Sequence, residues 1–367
     1  MKKFAKNFTL VIFSIAISIF AAEIVARLVA PQNLSGQWRI EAETGGYQLN
    51  KDHGESRHQI GDRVVHYNFG EHNLRVGPAR PKASHRVLVL GDSFTFGWLL
   101  DWQDSYVGRL QKAVDDVFGP GAVEFLNAAV GGWGASDYVA YYEDYGNEVA
   151  IQTVLIFINT DDIGRILDSD LYSISAASEE IERAPPQKNN SIFKVLKRKA
   201  KQLPFYDFGL ENSHLLQLIR AAAHRASDPP PGPQNPGRQP VESDGVRIPS
   251  SMVDDAQVEN SKRLAKSLFR HIFRLAKERQ HKLIILTTGW HKFGEKTPNE
   301  PTAVFMKDAA QFFKEEGIYF RDISDDVYRL SNGKLGDITI QNDGHPNELG
   351  ALFISQAAWE VLSELLK

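Results

Sequence analysis

The most regular feature of the chain is a series of short aliphatic runs, separated by stretches whose apolar residues recur every three or four positions. The runs are Arg86–Leu90, Val123–Leu126, Val154–Ile158, Leu283–Leu286 and, more weakly, Ile318–Ile323. Continuous apolar runs of this length, bounded by glycine or polar turns, predict strands buried on both faces of a parallel sheet. The intervening patterns Ser105–Val117, Tyr138–Glu148, Asn260–Arg279 and Thr302–Glu316 predict amphipathic helices, and a last one runs from Leu349 to Leu366. This alternation builds an α/β fold with helices on both faces of the sheet, whose ligands bind beyond the carboxyl ends of the strands. Residues directly after each strand are therefore the first place to look for chemistry.

The amino end departs from the alternation. Lys2, Lys3 and Lys6 precede the apolar run Phe8–Ala22, matching the charged and apolar regions of an export signal. Ile24, Val25, Ala26, Leu28 and Val29 lengthen the run to a membrane span if Glu23 and Arg27, paired at i,i+4, lie at the interface. No small-x-small cleavage site follows, so residues 1–31 are expected to form an uncleaved signal anchor; cleavage would instead release a secreted protein. Lysines ahead of the run place the amino end in the cytoplasm and the body in the periplasm or another extracytoplasmic space. Residues 32–84 read as a polar, turn-rich extension with an alternating stretch, Arg63–Tyr67, suited to an edge strand. Residues 85–367 carry the α/β pattern, interrupted by an insertion at about 164–255. The insertion holds a basic stretch, Phe193–Lys201, and a proline-rich tract, Asp228–Gly237, that cannot pack as helix or strand.

Composition narrows the chemistry. With 42% hydrophobic and 24% charged residues among 367, the chain is globular and not disordered throughout. A formal charge of −4 provides no overall basic field, so nucleic acid is not an expected partner. The absence of cysteine removes a disulfide framework, a thiolate nucleophile, Cys-ligated zinc and iron–sulfur clusters. Any nucleophile must come from another residue type. His53, His58, His66 and His72 cluster in the extension, but their irregular spacing and the lack of an ordered carboxylate partner do not make a metal site. No cofactor is expected.

Four segments follow predicted strands or open the last helix. The first is Gly91-Asp92-Ser93-Phe94-Thr95-Phe96-Gly97, which puts the Ser93 hydroxyl at a strand's carboxyl edge, and its backbone N–H near a helix start where donors can hold an oxyanion. Taken alone, Ser93 reads equally well as a helix N-cap. Asn127-Ala-Ala-Val-Gly-Gly132-Trp133-Gly134 is a glycine-rich turn in which Gly132 can donate its N–H. Asn159-Thr-Asp161-Asp162 brings amide and carboxylate side chains to the same edge, and Asp343-Gly-His345-Pro-Asn347 sets an acid two residues before an imidazole. Trp98, Trp102, Trp133 and Trp290 fall just beyond the core strands; Trp133 and His291 are the candidates for substrate contact, with space-filling between loop and sheet as the alternative for the indoles.

In this order, the four segments resemble the blocks of the SGNH (GDSL) hydrolase superfamily, over about Asn68–Lys367 outside the insertion. Tyr67-Asn68 and Asn73-Leu74-Arg75 look like the lead-in of its membrane-anchored bacterial members. The resemblance implies a flavodoxin-like αβα sandwich around a central parallel sheet of about five strands. It implies Ser93 as nucleophile, His345 as general base and Asp343 as the acid that orients it. Gly132, five residues after Asn127, would join the Ser93 N–H as an oxyanion donor.

Two departures stand out. The third block usually reads Gly-x-Asn-Asp; alignment on Asp162 puts Asp161 where the oxyanion amide belongs and leaves Asn159 two residues early. The common Asp-x-x-His spacing lands on Asn342, whereas Asp343 gives Asp-x-His, which looks like the pattern of polysaccharide O-acetyltransferase relatives. The implied chemistry is acyl transfer through a serine ester. Water as acceptor makes an esterase acting on a carbohydrate or cell-envelope ester, and a sugar hydroxyl makes an O-acetyltransferase. A carboxylate at the oxyanion position would oppose catalysis and leave a weakened, envelope-binding member. The expected partners are an acylated small molecule or carbohydrate and the inner membrane.

Overall fold

The structure is a computed structural model that describes residues 2–159, 161–175, 180–185, 205–227, 255–290 and 301–366. His291, the basic stretch Phe193–Lys201 and the proline-rich tract Asp228–Gly237 lie outside the described residues. The chain divides into two compact units, one of residues 1–38, 56–66 and 189–239, the other of 39–55, 67–188 and 240–367. The sequence segments 32–84 and 164–255 are thus each shared between the units.

The larger unit is built on five parallel strands, β1 (His85–Leu90), β2 (Val123–Asn127), β3 (Thr153–Ile158), β4 (Lys282–Thr287) and β5 (Tyr319–Arg321). Their order across the sheet is 2-1-3-4-5, the flavodoxin-like arrangement. Alternation along each aliphatic run sends successive side chains to opposite faces. Leu88, Leu90, Val154, Ile156, Leu283 and Ile285 pack on one face, under the helices α2 (Ala135–Tyr145), α3 (Asp255–Glu278) and α4 (Pro301–Glu316). Val87, Val89, Leu155, Phe157, Ile284 and Leu286 pack on the other, under α1 (Tyr106–Phe118) and α5 (Glu348–Leu365). Burial on both faces is why the runs lack polar alternation. The order reverses beside β1, so the crevice for a ligand opens at the carboxyl ends of β1 and β3.

Two features differ from the sequence expectation. The sheet is wider than five strands: Leu74–Val76 joins antiparallel to β2 through the Arg75–Asn127 pair, and Asn68–Gly70 pairs antiparallel to Leu74–Val76. The three-residue strand Leu74–Val76 is too short to show a period in the sequence, whereas Asn68–Gly70 ends the strand Arg63–Gly70, whose start is the alternating stretch expected to form an edge strand. Helix α2 also begins at Ala135, three residues before the predicted start, because the Gly134 N–H is held by the Asp137 carboxylate at 2.8 Å.

Burial pushes the Asp137 carboxyl up to about 6, against the pull of the Gly134 N–H and the Arg165 charge. Between the unfolded value near 3.8 and about 6 the folded state keeps a proton that the unfolded chain has lost. Stability therefore falls as pH rises through that window and stays lower above it. Asp137→Asn is expected to unfold at higher urea than the parent at pH 8, by on the order of 2 kcal/mol, and at equal urea at pH 4. Equal midpoints at both pH values would contradict this.

In the smaller unit, the helix Lys2–Val29 contains the span Asn7–Val29, the one helix among the described residues long and apolar enough to cross a membrane or act as a signal. Residues 32–38 run beside 56–61, joined by the Gly36 N–H to the Arg57 carbonyl at 2.8 Å and by the Ser35 hydroxyl to His58 Nδ1 at 2.9 Å. Glu211, in the helix Tyr206–Asn212, accepts from the Arg57 N–H at 2.8 Å.

Candidate active site

Strand β1 ends at Leu90, and after Gly91 and Asp92 the chain enters the single helical turn Ser93–Phe96. No side chain fits at Gly91, where a Cβ would fall 1.9 Å from Thr95 Oγ1. The N-cap of the turn is Asp92, whose carboxylate accepts from the Phe94 N–H at 2.9 Å. Ser93 is thus relieved of the capping role that its sequence context also allowed, and its hydroxyl faces elsewhere. The turn closes at Gly97 in the left-handed region, with φ 84°. Buried Arg75 then fastens the chain beyond it, donating to the carbonyls of Phe96, Gly97 and Leu100 from between the Tyr67 and Phe96 rings. Tyr67 Oη accepts from the Leu99 N–H at 2.9 Å, so the lead-in residues form the clamp on the loop after Ser93.

His345 arrives from the far end of the sequence. A bridge between Thr339 and Pro346 and the bond from the Ile340 N–H to the His345 carbonyl at 2.8 Å form a tight turn. Asn347 caps α5, accepting from the N–H groups of Leu349 and Gly350 at 3.0 Å. This framework sets His345 Nε2 2.7 Å from Ser93 Oγ, and His345 Nδ1 2.5 Å from Asp343 Oδ1. Asp343 also accepts from the His345 backbone N–H at 3.2 Å and from Trp98 Nε1 at 3.3 Å. Burial would raise the Asp343 carboxyl, but the His345 ring, the His345 N–H and Trp98 outweigh it and hold it below the usual carboxylate range. An ionised Asp343 selects the tautomer with the proton on Nδ1, which leaves Nε2 to accept from the Ser93 hydroxyl. Phe94 and Trp98 flank the imidazole, with ring centroids 5.0 and 5.6 Å away.

Behind Ser93 lies a charge cluster with no counterpart in the motif reading. Arg165 Nη1 donates to Asp92 Oδ2 at 3.0 Å, to Asp162 Oδ1 at 3.0 Å and to the Trp133 carbonyl at 2.7 Å. Asp162 Oδ2 accepts from Tyr138 Oη and from the Asn159 N–H, both at 2.6 Å. Burial and the neighbouring Asp92 charge push the Asp162 carboxyl well up, while Arg165 opposes them. The cluster ties the ends of β1, β2 and β3 together beside Ser93.

The remaining predicted residues take these places. Asn159 is buried at the end of β3; its Nδ2 donates to Asp92 Oδ2 at 3.0 Å and its Oδ1 accepts from Thr288 Oγ1 at 2.9 Å. Asp161 stands outside this arrangement, its side chain 45% exposed and 3.7 Å from Arg165 Nη2. Gly132 is exposed in the left-handed region, with φ 88°, and Gly131 beside it comes close enough that a Cβ would lie 3.6 Å from Ser93 Cβ. Trp133 corrects the sequence expectation of a substrate-contact residue: it is buried among Tyr47, Tyr138 and Tyr141, with Nε1 donating to the Gln48 carbonyl at 2.7 Å. An indole packed on all sides has no face to stack on a sugar. The indole placed beside His345 is that of Trp98, with Trp290 against Phe94 at 5.4 Å. Trp98 belonged to the group singled out in the sequence, but nothing local distinguished it. Among the described residues no group of three His, Asp or Glu side chains is arranged to hold a metal ion.

No protein-family model matches the chain, and no curated protein does. Among solved structures, the chain is similar to Axe2, an acetylxylan esterase from Geobacillus stearothermophilus, at 13% identity and a TM-score of 0.42, over 77% of this chain and 95% of that one. It is similar to the acetyl xylan esterase AlAXEase at 10% identity and a TM-score of 0.42, over 76% and 99%. LAE5, an alpha/beta hydrolase enzyme from the metagenome of Lake Arreo, Spain, has 11% identity and a TM-score of 0.43, over 77% and 97%. Likenesses this distant carry no argument about the site, which rests on the geometry above.

Proposed function

We propose that the chain is a serine ester hydrolase of the SGNH type that works through an acyl-enzyme. The observation that carries this reading is the line of hydrogen bonds from Ser93 Oγ through His345 to Asp343. As Ser93 Oγ bonds to the ester carbonyl carbon, its proton passes to His345 Nε2, and the carbonyl oxygen becomes an oxyanion. The imidazolium returns that proton to the departing alcohol as the C–O bond breaks. Water then repeats the sequence on the acyl-enzyme, with His345 again taking and returning a proton, and releases the acid. Asp343 stabilises the imidazolium in both halves.

The oxyanion donors in this reading are the N–H groups of Ser93 and Gly132 and the Asn159 amide. Asn159 is favoured over Asp161 because its amide is fixed against Asp92, the residue next to the nucleophile, whereas Asp161 is half exposed. Asn159→Ala is expected to lower kcat by about 10²–10³ with little change in KM, and Asp161→Asn to leave both within about twofold. The reverse pattern would move the donor to position 161.

The substrate class proposed is an acylated carbohydrate or cell-envelope ester, met in the periplasm by a body tethered to the inner membrane through Lys2–Val29. The test is hydrolysis of short-chain aryl acetates by the full-length chain, followed by acetylated oligosaccharides. Release of aryl alcohol only when an oligosaccharide acceptor is present, with acetyl recovered on the sugar, would replace hydrolysis by acetyl transfer. No release under either condition would sink the enzyme reading.

A further inference from the structure

The smaller unit carries an exposed apolar surface. In the helix His214–Ser227, Gln217 is buried and donates to the Ser35 and Leu210 carbonyls at 2.7 Å. The outward side is apolar, with Leu218, Ile219, Ala222 and Ala223 exposed, Ile219 by 56%. The adjoining helix Tyr206–Asn212 buries Leu210 and leaves a second large apolar side chain, Phe208, 66% exposed. Phe205, 82% exposed, sits in the left-handed region at φ 75°, a conformation that bulky residues rarely adopt. Four large apolar side chains, Phe205, Phe208, Leu218 and Ile219, exposed on two adjoining helices are matched to an apolar environment.

Attachments to the amino-terminal helix show which environment this is. Glu23 accepts from the N–H groups of His214 and Leu215 at 3.0 and 2.9 Å and from the Ser213 hydroxyl at 2.7 Å. Arg27 Nη2 donates to the Asn212 carbonyl at 2.8 Å. Glu23 and Arg27 are the two charged residues inside the span Asn7–Val29, in its last two turns, and charges there belong at the level of the lipid headgroups. The joint between the two short helices is therefore fastened to the spanning helix at headgroup level, where an amphipathic helix settles in the membrane surface.

We infer that helices Tyr206–Asn212 and His214–Ser227 form a lipid-surface binding face, inserting Phe205, Phe208, Leu218 and Ile219 into the bilayer beside the spanning helix. The inference goes beyond the proposed ester chemistry and rests on Lys2–Val29 being a membrane anchor. Two contacts with the bilayer restrain the smaller unit where a single helix would leave it to swivel.

The chain has no cysteine, so single-cysteine variants report one position each. Full-length Phe208→Cys, Ile219→Cys, Ile15→Cys and Val117→Cys proteins, each carrying one nitrobenzoxadiazole label, are placed in phosphatidylcholine/phosphatidylglycerol nanodiscs with and without doxyl-labelled lipid. Labels at 208 and 219 are expected to be quenched about twofold or more, as for groups ~5–10 Å into the headgroup and acyl boundary, together with the label at 15 but not that at 117. Quenching at 15 without quenching at 208 and 219 overturns the inference and leaves the anchor standing. Blue-shifted emission at 208 and 219 that doxyl lipid does not quench overturns it in favour of burial against a second copy. No quenching at 15 removes the anchor, and the inference with it, and quenching at 117 would show adsorption without a dedicated face.

Discussion

Replacing Ser93 by alanine is expected to lower kcat for aryl ester hydrolysis by about 10⁴–10⁶, and His345→Ala to cost a similar factor. The double variant is expected to be no slower than either single one, because nucleophile and base act as a unit: a hydroxyl without a base and a base without a hydroxyl are equally idle. Ser93 Oγ and His345 Nε2 are 2.7 Å apart, within direct proton-transfer reach. Asp343→Asn is expected to fall by about 10⁴, since the amide no longer enforces the Nδ1 proton or compensates the imidazolium. Circular dichroism and unchanged denaturation midpoints separate these losses from misfolding. Either single alanine variant keeping more than a tenth of the activity would contradict the relay.

The second large effect is on stability. Arg165→Met keeps much of the side chain's volume but leaves Asp92 and Asp162 buried beside each other without their shared cation. Removing one partner from a buried charge cluster costs about 3–5 kcal/mol, because the remaining charge stays desolvated. Asp162 is already pushed up by burial and by Asp92, so it becomes protonated more readily once Arg165 is gone. A raised folded-state pKa removes stability as pH rises, so the penalty should be largest at pH 8 and shrink towards pH 5. Urea unfolding at the two pH values reads this directly. A loss below about 1 kcal/mol at pH 8, or one independent of pH, would mean that the cluster is not held by its charges.

The sequence made the sheet legible because strands such as Val154–Ile158 are buried on both faces and therefore read as unbroken apolar runs. The same logic located Ser93 and Asn159, since the chain must turn where such a run ends. Arg165 was not legible. Its guanidinium meets Asp92 across 73 residues, and nothing in the loop Asn159–Arg165 marks it as more than a surface charge. Trp133 misled for a related reason: a tryptophan after a glycine turn looks the same whether its ring points to a crevice or, as here, donates inward to the Gln48 carbonyl. The clamp of Tyr67 and Arg75 shows a third limit. Arg75 lies on a three-residue strand that meets β2 through a single pair, so the role of residues 67–76 in holding the turn after Ser93 emerged only from the tertiary contacts.

The most direct measurement is intact-protein and peptide mass spectrometry after treatment with a fluorophosphonate, which traps a serine only where a base activates it. One phosphonyl adduct per chain is expected, localised to Ser93, absent in Ser93→Ala and suppressed in His345→Ala. An unmodified Ser93 in folded protein, or an adduct that persists in His345→Ala, would contradict it.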